Sequence, residues 1–393
     1  MNYILFDDRR NNLLPFTYTR PVSEIRCGIL TITEKWAHHL DGEISFLTED
    51  YLQVKYPVNY TTENIYINGS IFPNDSLLEV IDRMEEGDLL FHLEKEKVIA
   101  FKSNQKVELD NLESLQFVQH NYEGEFLEIN DVWDIFSKNA EALKQDFKLL
   151  THGRESALLD KTNIHIGNDL FIEEGAIVQG AILNSTSGPI YVGKNTEIME
   201  GSVVRGGLAL CESAVLKLST KVYGATTVGP FSKVGGEVNN SVIFGYSNKG
   251  HDGFLGNSVL GEWCNLGADT NVSNLKNNYA EVKIWNFEKM GFKNTGLQFC
   301  GMIMGDHSKS GINTMFNTAT VVGVSSNIYG GGFPRNYIPS FSWGGADKWV
   351  EFRTNKAFEV AEKMMERRGI PFTEADHAIL THVFEETKSH RNF

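Results

Sequence analysis

From Val192 onward a branched apolar residue occupies every sixth position: Val192, Ile198, Val204, Leu210, Leu216, Val222, Val228 and Val234. The register also holds upstream at Ile166, Ile172 and Val178. It resumes at Leu260, Leu266 and Val272, then at Met304, Phe316, Val322 and Ile328, with Ser310 at the one missed position. A helix repeats every 3.6 residues and a strand every 2, so neither sustains a strict period of six. A hexapeptide β-helix does, because each six-residue unit is one short strand and one corner of a triangular prism, with the repeated aliphatic side chain pointing inward. One coil has no core of its own, so many must stack. The pattern predicts a parallel β-helix over residues 151–345, of the left-handed kind usual for hexapeptide prisms. The register lapses between Val234 and Leu260, which predicts an excursion from the prism around the Gly-rich segment that holds His251.

Residues 1–150 have a different texture. Short apolar runs at Tyr3 to Phe6, Ile44 to Leu47, Ile65 to Ile67, Leu89 to His92 and Val98 to Phe101 predict strands, and Ser76 to Met84 an amphipathic helix. Alternating strands and helices predict an α/β domain with a mainly parallel sheet. Trp133 to Leu150 reads as a helix with Trp133, Phe136, Ala140 and Leu143 on one face. Residues 346–393 contain two more helical stretches, Asn355 to Arg368 and Thr373 to Lys388. The second opens on the capping pair Thr373 and Asp376, and Gly369-Ile370-Pro371 breaks the first.

Composition narrows the classes. A chain of 393 residues is expected to form two or three domains, and 41% hydrophobic against 22% charged residues excludes global disorder. A net charge of -15 argues against a sequence-independent hold on nucleic acid, while leaving room for a local basic pocket that takes a small phosphate ester. The opening MNYILF is too short for a signal-peptide core and no run of about 18 apolar residues follows, so a cytoplasmic protein without a membrane partner is expected. The four cysteines contain no C-x-x-C pair and read as buried reduced thiols.

The run Lys249-Gly250-His251-Asp252-Gly253-Phe254-Leu255-Gly256, followed by Asn265-Leu266-Gly267-Ala268-Asp269-Thr270 and Asn274, carries a family resemblance. It resembles the bifunctional enzymes that acetylate glucosamine-1-phosphate and then uridylylate N-acetylglucosamine-1-phosphate, and is specific over residues 249 to 276. The resemblance implies acyl transfer from acetyl-CoA to an amino-sugar phosphate, with His251 as catalytic base. It implies that Asn265, Asn274 and Lys249 bind substrate, that His307 and Arg335 contact the coenzyme, and that the prisms form a homotrimer with the acceptor site between neighbours. Acylating an amine needs a base for the departing proton and donors for the tetrahedral oxyanion, which suits these residue types. Phe254 stands where the family has Tyr, Leu275 replaces a second Tyr, and no basic residue accompanies Asn239 and Asn240.

The N-terminal part resembles a divergent branch of the sugar nucleotidyltransferases, through Leu14-Pro15-Phe16-Thr17-Tyr18-Thr19-Arg20-Pro21, Arg26-Cys27-Gly28 and Glu34-Lys35-Trp36. Asp7-Asp8-Arg9-Arg10-Asn11-Asn12 replaces the usual Gly-rich phosphate loop, so Arg9, Arg20, Arg26 and Lys35 are expected to hold the nucleotide phosphates instead. Asn130 falls on a family Mg²⁺ contact, whereas Ser70 stands where a metal-binding Asp is expected. Two function classes follow. One is a transferase of amino-sugar nucleotide synthesis with an atypical nucleotidyltransferase head. The other is a non-catalytic trimeric scaffold or regulatory protein that binds a nucleotide sugar.

Overall fold

The structure, a computed structural model, describes residues 1–108 and 116–393. By contacts the chain falls into two compact units. The first holds Met1–Arg10, Arg20–Ile25 and Leu30–Asn130, and the second holds Asn11–Thr19, Arg26–Ile29 and Asp131–Phe393. This division does not coincide with the one expected at residue 150, because two short segments near the N-terminus and all the chain from Asp131 belong to the second unit.

Among the described residues the first unit carries a six-stranded sheet. Its strands are β1 (Asn2–Phe6), β2 (Glu43–Leu47), β3 (Asn64–Asn68), β4 (Asp88–His92), β5 (Lys97–Ser103) and β6 (Val118–Asn121), in the order β2-β1-β3-β5-β4-β6. β1 pairs in parallel with β2 and β3, while β5 runs antiparallel to both β3 and β4. Ile4, Phe6, Tyr66, Leu89, Phe101 and Val107 form a buried cluster, in which the Tyr66 and Phe101 rings stack 4.4 Å apart. Helix α1 (Ile32–Ala37) begins at a capping box between Thr31 and Glu34, and its Trp36 indole donates to the Ile71 carbonyl at 2.9 Å. Helix α2 (Asp75–Asp82), capped by Asn74, buries Leu77 and Ile81.

The second unit is built on the predicted parallel β-helix. Its short strands form three long sheets of six, nine and ten strands, and the face of the six-stranded sheet is continued in later coils by a separate pair, Asn271–Val272 with Met315–Phe316. The periodic residues form inward rows: Ile172, Val192, Leu210, Val228, Ile243, Leu260, Met304, Val322 and Ile338 occupy one face, aligned coil on coil and buried. Helices α3 (Asp134–Ser137) and α4 (Asn139–Thr151) precede the prism; α5 (Thr354–Glu366) and α6 (Glu374–Glu386) follow it, α6 opening on the expected Thr373/Asp376 capping box. Segments 11–19 and 26–29 pack on this unit. Phe16 meets Phe244 at 5.0 Å between ring centroids, Thr19 Oγ1 donates to Asp306 Oδ2 at 2.7 Å, and Thr227 Oγ1 donates to the Gly28 carbonyl at 2.8 Å.

Two details differ from the pattern read along the chain. Ile166 is 45% exposed, because the register places His165 rather than Ile166 against the inward Leu183. The segment between Val234 and Leu260 does not leave the prism: Val238, Ile243, Lys249 and Leu255 keep the inward rows unbroken. The period of six is lost there because corners are shortened, as at Gly235-Gly236, where the positive φ of Gly236 lets the chain pass close to Asp252 and Gly253 of the next coil. The excursion lies later, after Val272, where an antiparallel hairpin of Lys283–Asn286 and Gly291–Asn294 is inserted before Cys300.

The distance between coils is set by backbone contact. A Cβ on Gly229 would lie 1.2 Å from the Phe244 carbonyl oxygen of the next coil, whereas one on Gly331 would meet nothing within 4 Å. Gly229→Ala is therefore expected to destabilise by about 3 kcal/mol or more, and Gly331→Ala by less than about 0.5 kcal/mol. Denaturant unfolding of the two variants checks this, and equal midpoints would contradict it.

Candidate functional site

The outward side of one prism face carries the aligned row Lys233, Asn248, Asn265 and Lys309. Together with the C-terminal end of α5, which supplies Met364 and is followed by Arg367 and Arg368, this row lines a cleft of about 910 Å³. Lys217, Tyr246, Trp263 and His251 line it as well. Five cationic side chains thus face one cavity, and none of the described residues lining it is acidic. Burial, and then the charges of Arg368, Lys217 and Arg367, hold the Lys233 ammonium below its ordinary value. Burial and Arg367 do the same to Arg368. Lys309 is pushed down to about 8 by burial, while its Nζ donates to the His307 carbonyl at 2.7 Å. Five like charges gathered in one cleft, with Glu197 the acidic group acting on Lys233, form a site for an anion.

The corner beside this cleft is a stack of rings. Phe231 and Tyr246 lie 5.2 Å apart, Tyr246 and Trp263 4.3 Å, and Trp263 and His307 6.3 Å, all nearly parallel. Each ring stands on a residue with φ between 57° and 60°. Such a left-handed backbone costs a non-glycine residue about 1 kcal/mol, which stacked ring contact of similar size offsets.

His251 is exposed at the cleft and Asn265 lies in its wall. His307 stands at a corner of the prism, on the rung after Trp263. Lys249 follows Val234 in an inward row and is 2% exposed. Its Nζ donates to the carbonyls of His251 (2.6 Å) and Asp252 (3.2 Å), and burial brings its ammonium down to about 8. It therefore ties down the His251 turn and is not presented to a substrate, a correction that the inward register explains. Asn274 is not in this cleft: its Nδ2 donates to Asn257 Oδ1 at 2.8 Å. Arg335 is exposed beyond Pro334, outside the cleft lining. The sequence reading missed Lys217, Lys233, Lys309, Arg367 and Arg368. Lys217, Lys233 and Lys309 each sit next to an inward hexad position, which was the signal available for them, but no spacing links them to α5.

In the first unit the expected phosphate-binding arginines separate. Arg9 is exposed with φ 50°. Arg20 and Lys35 are buried, with the Lys35 ammonium 5.1 Å from the Phe72 ring centroid. Arg26, which belongs to the second unit, is buried and donates to the Ile29 carbonyl. Burial removes Arg20, Arg26 and Lys35 from a ligand-facing surface; apolar neighbours such as Pro21, Val22 and Ile25 draw that turn inward.

At the carboxyl edge of β1 and β3, Lys97 opens β5 with its ammonium among four oxygens. These are Asn130 Oδ1 at 2.7 Å, Glu128 Oε2 at 2.7 Å, Ser70 Oγ at 3.1 Å and Asp8 Oδ2 at 3.2 Å. Lys95 Nζ meets Glu128 Oε1 at 3.1 Å. Burial alone would raise the Glu128 carboxyl, but hydrogen bonds and charge from Lys97 and Lys95 outweigh it and hold it below the ordinary carboxylate value. The Mg²⁺ implied by the resemblance does not fit here. Bound to Asn130 Oδ1 at about 2.1 Å, it would lie within about 5 Å of the Lys97 ammonium, a repulsion on the order of 7 kcal/mol at an effective dielectric near 20. The two carboxylates already face two ammonium groups, so a dication would find no net negative charge. Asn130 is Lys97's acceptor, which corrects its expected role as a metal ligand. Nor do the described residues bring together any three His, Cys, Asp or Glu that would hold a metal.

Residues 3–155 match the family model described as sugar nucleotidyl transferase. Over 330 residues the chain is 23% identical to the bifunctional protein GlmU of Methanococcus maripaludis, covering 83% of this chain and 68% of that protein. Over 249 residues it is 28% identical to the bifunctional sugar-1-phosphate nucleotidylyltransferase/acetyltransferase of Sulfurisphaera tokodaii, covering 62% of this chain and 55% of that one. The chain is similar, at low identity, to these bifunctional proteins. It spans about two thirds of the first and about half of the second. Among solved structures, the UDP-N-acetylglucosamine acyltransferase of Francisella novicida aligns with 57% of this chain and 87% of its own, at 13% identity and a TM-score of 0.32. No helix among the described residues is long and apolar enough to cross a membrane. The four cysteines are buried and unbridged, and burial pushes the Cys264 and Cys300 thiols up to about 12.

The two lysines brought down to about 8, Lys249 and Lys309, give the protein a pH signature. An anion in the cleft favours charged Lys309, so affinity falls as pH rises through about 8. Sulfate, whose own charge is constant in this range, is expected to bind roughly fivefold more weakly at pH 9 than at pH 7, one charge at a partly exposed site being worth about 1 kcal/mol. Lys309→Met should remove that difference. Folded stability has the opposite slope: the unfolded chain keeps these protons until about 10.4, so stability rises with pH from about 8. Calorimetric titration and denaturant unfolding at the two pH values check both.

Proposed function

We propose that the prism transfers an acyl group from acetyl-CoA to the amino group of a phosphate-bearing amino sugar, and that the N-terminal head holds a nucleotide sugar. The observation that carries this reading is the cleft in which His251 and Asn265 stand beside five cations. The cations are suited to the phosphate of the acceptor or to the phosphates of the coenzyme. In the proposed step the acceptor nitrogen attacks the thioester carbonyl while its proton passes to the His251 imidazole. The tetrahedral oxyanion is held by nearby donors, and collapse expels the coenzyme thiolate, which takes up a proton. The stack ending at His307 supports a contact with the coenzyme near the same corner. Arg335 is proposed as a second coenzyme contact.

Asn274 lies outside the cleft of its own chain, which favours an arrangement shared between adjacent prisms and hence a homotrimer. Exposed Ile164, Ile182 and Val203 form an apolar row on one prism face that side-by-side packing would cover. For the head, the cation already seated between Asp8 and Glu128 favours binding over turnover of a nucleotide sugar.

Purified protein incubated with acetyl-CoA and a panel of amino-sugar phosphates should release thiol with at least one of them. His251→Ala should lower that rate by about 10² to 10⁴, the usual worth of a positioned base, while coenzyme binding persists. His307→Ala should raise the apparent KM for the coenzyme with little change in kcat. Full activity in both variants would sink the assignment, and a monomer by light scattering at micromolar concentration would sink the shared site.

A further inference from the structure

Lys97 is an unusual residue to bury. Its side chain is 1% exposed, and it stands at the carboxyl edge of the parallel strands β1 and β3, where open α/β sheets take their ligands. The fold fixes the surrounding oxygens independently. Asn68, at the end of β3, donates through Nδ2 to Asp8 Oδ2 at 3.0 Å and to the Val98 carbonyl at 2.9 Å, joining the β1 loop to the start of β5. Its Oδ1 accepts from Ser70 Oγ at 2.7 Å, and an antiparallel bridge between Ile71 and Glu128 brings the Glu128–Asn130 segment to the same place. A compact cation surrounded by four oxygen ligands from three separate segments has the form of a metal site, filled by a side chain of the protein.

We infer that the Lys97 ammonium is the resident cation of the head, and that this edge binds the diphosphate of a nucleotide sugar without a divalent metal ion. Lys97 and Lys95 together neutralise Asp8 and Glu128, which would otherwise repel a diphosphate. Arg9, exposed beside Asp8, adds a cation facing outward to meet it, and Lys95, paired with Glu128 but 27% exposed, still presents N–H donors at the same edge. Phosphate is recognised by an ammonium as a point charge, with no coordination shell to rebuild. The inference rests on the reading of the head as a nucleotide-binding domain, and it is independent of acyl transfer in the prism.

The test uses the full chain and UDP-N-acetylglucosamine, titrated calorimetrically in 5 mM MgCl₂ and in excess EDTA, alongside Mn²⁺ titration followed by electron paramagnetic resonance without nucleotide. The expected result is a Kd that changes by less than about threefold between the two conditions, with no protein-bound Mn²⁺. Lys97→Gln should uncover the carboxylates, so that nucleotide binding weakens about tenfold or more in EDTA and recovers with Mg²⁺. A merely structural lysine would not bring in metal dependence. Tenfold weaker binding of the parent protein in EDTA, or Mn²⁺ bound by the parent and lost in Asn130→Ala, would overturn the inference while leaving the nucleotide-binding reading in place. No binding at millimolar nucleotide in either condition would overturn both. Should Lys97→Gln fail to fold, the parent measurements alone decide.

Discussion

Stacking of coil on coil is the constraint from which the rest of the second unit follows. A single turn of the prism buries almost nothing; three inward rows of aliphatic side chains become a core only when each turn lies directly over the last. That demand fixes the outward positions as well. Because Val234, Lys249 and Leu266 must follow one another in an inward row, their neighbours Lys233, Asn248 and Asn265 line up on the outside, and Lys309 joins them through the next coil. The cationic cleft is thus a by-product of register, completed by the arginines that follow α5. The same demand admits polar intruders: Ser310, hydrogen-bonded to Thr270 Oγ1, and Lys249, whose burial is compensated by the two carbonyls of the His251 turn.

The prism was legible because its signal is long-range and redundant: a period of six repeated along one chain needs no knowledge of partners. Where the signal failed, geometry had changed without changing the topology. Between Val234 and Leu260 the rows continue, but Val238 follows Val234 after four residues, so a counter of sixes loses its place. His251 was found by its motif and Asn265 with it, and both line the cleft. Arg367 and Arg368 were invisible because their meeting with the prism depends on how a C-terminal helix docks, which is not encoded in any local spacing. In the head, Asn130 was correctly noticed and wrongly partnered. The residue that explains it, Lys97, lies 33 positions away at the start of a strand, where a lysine excites no attention. Arg20 and Arg26 illustrate the reverse error, since positive charge in a divergent loop reads as phosphate binding until its burial is seen.

The hairpin after Val272 bears on how such a chain can change over time. Along one inward row the interval from Val228 to Ile243 is 15 residues, from Ile243 to Leu260 it is 17, from Leu260 to Met304 it is 44, and from Met304 to Val322 it is 18. The side chains nevertheless stack as if every interval were equal. The prism keeps phase, not length: material added at a corner is invisible to the core provided the chain returns to the same rung. Corners are therefore the places where a whole module can be gained or lost in one step, whereas a single residue added within a strand would turn that strand's inward side chain outward.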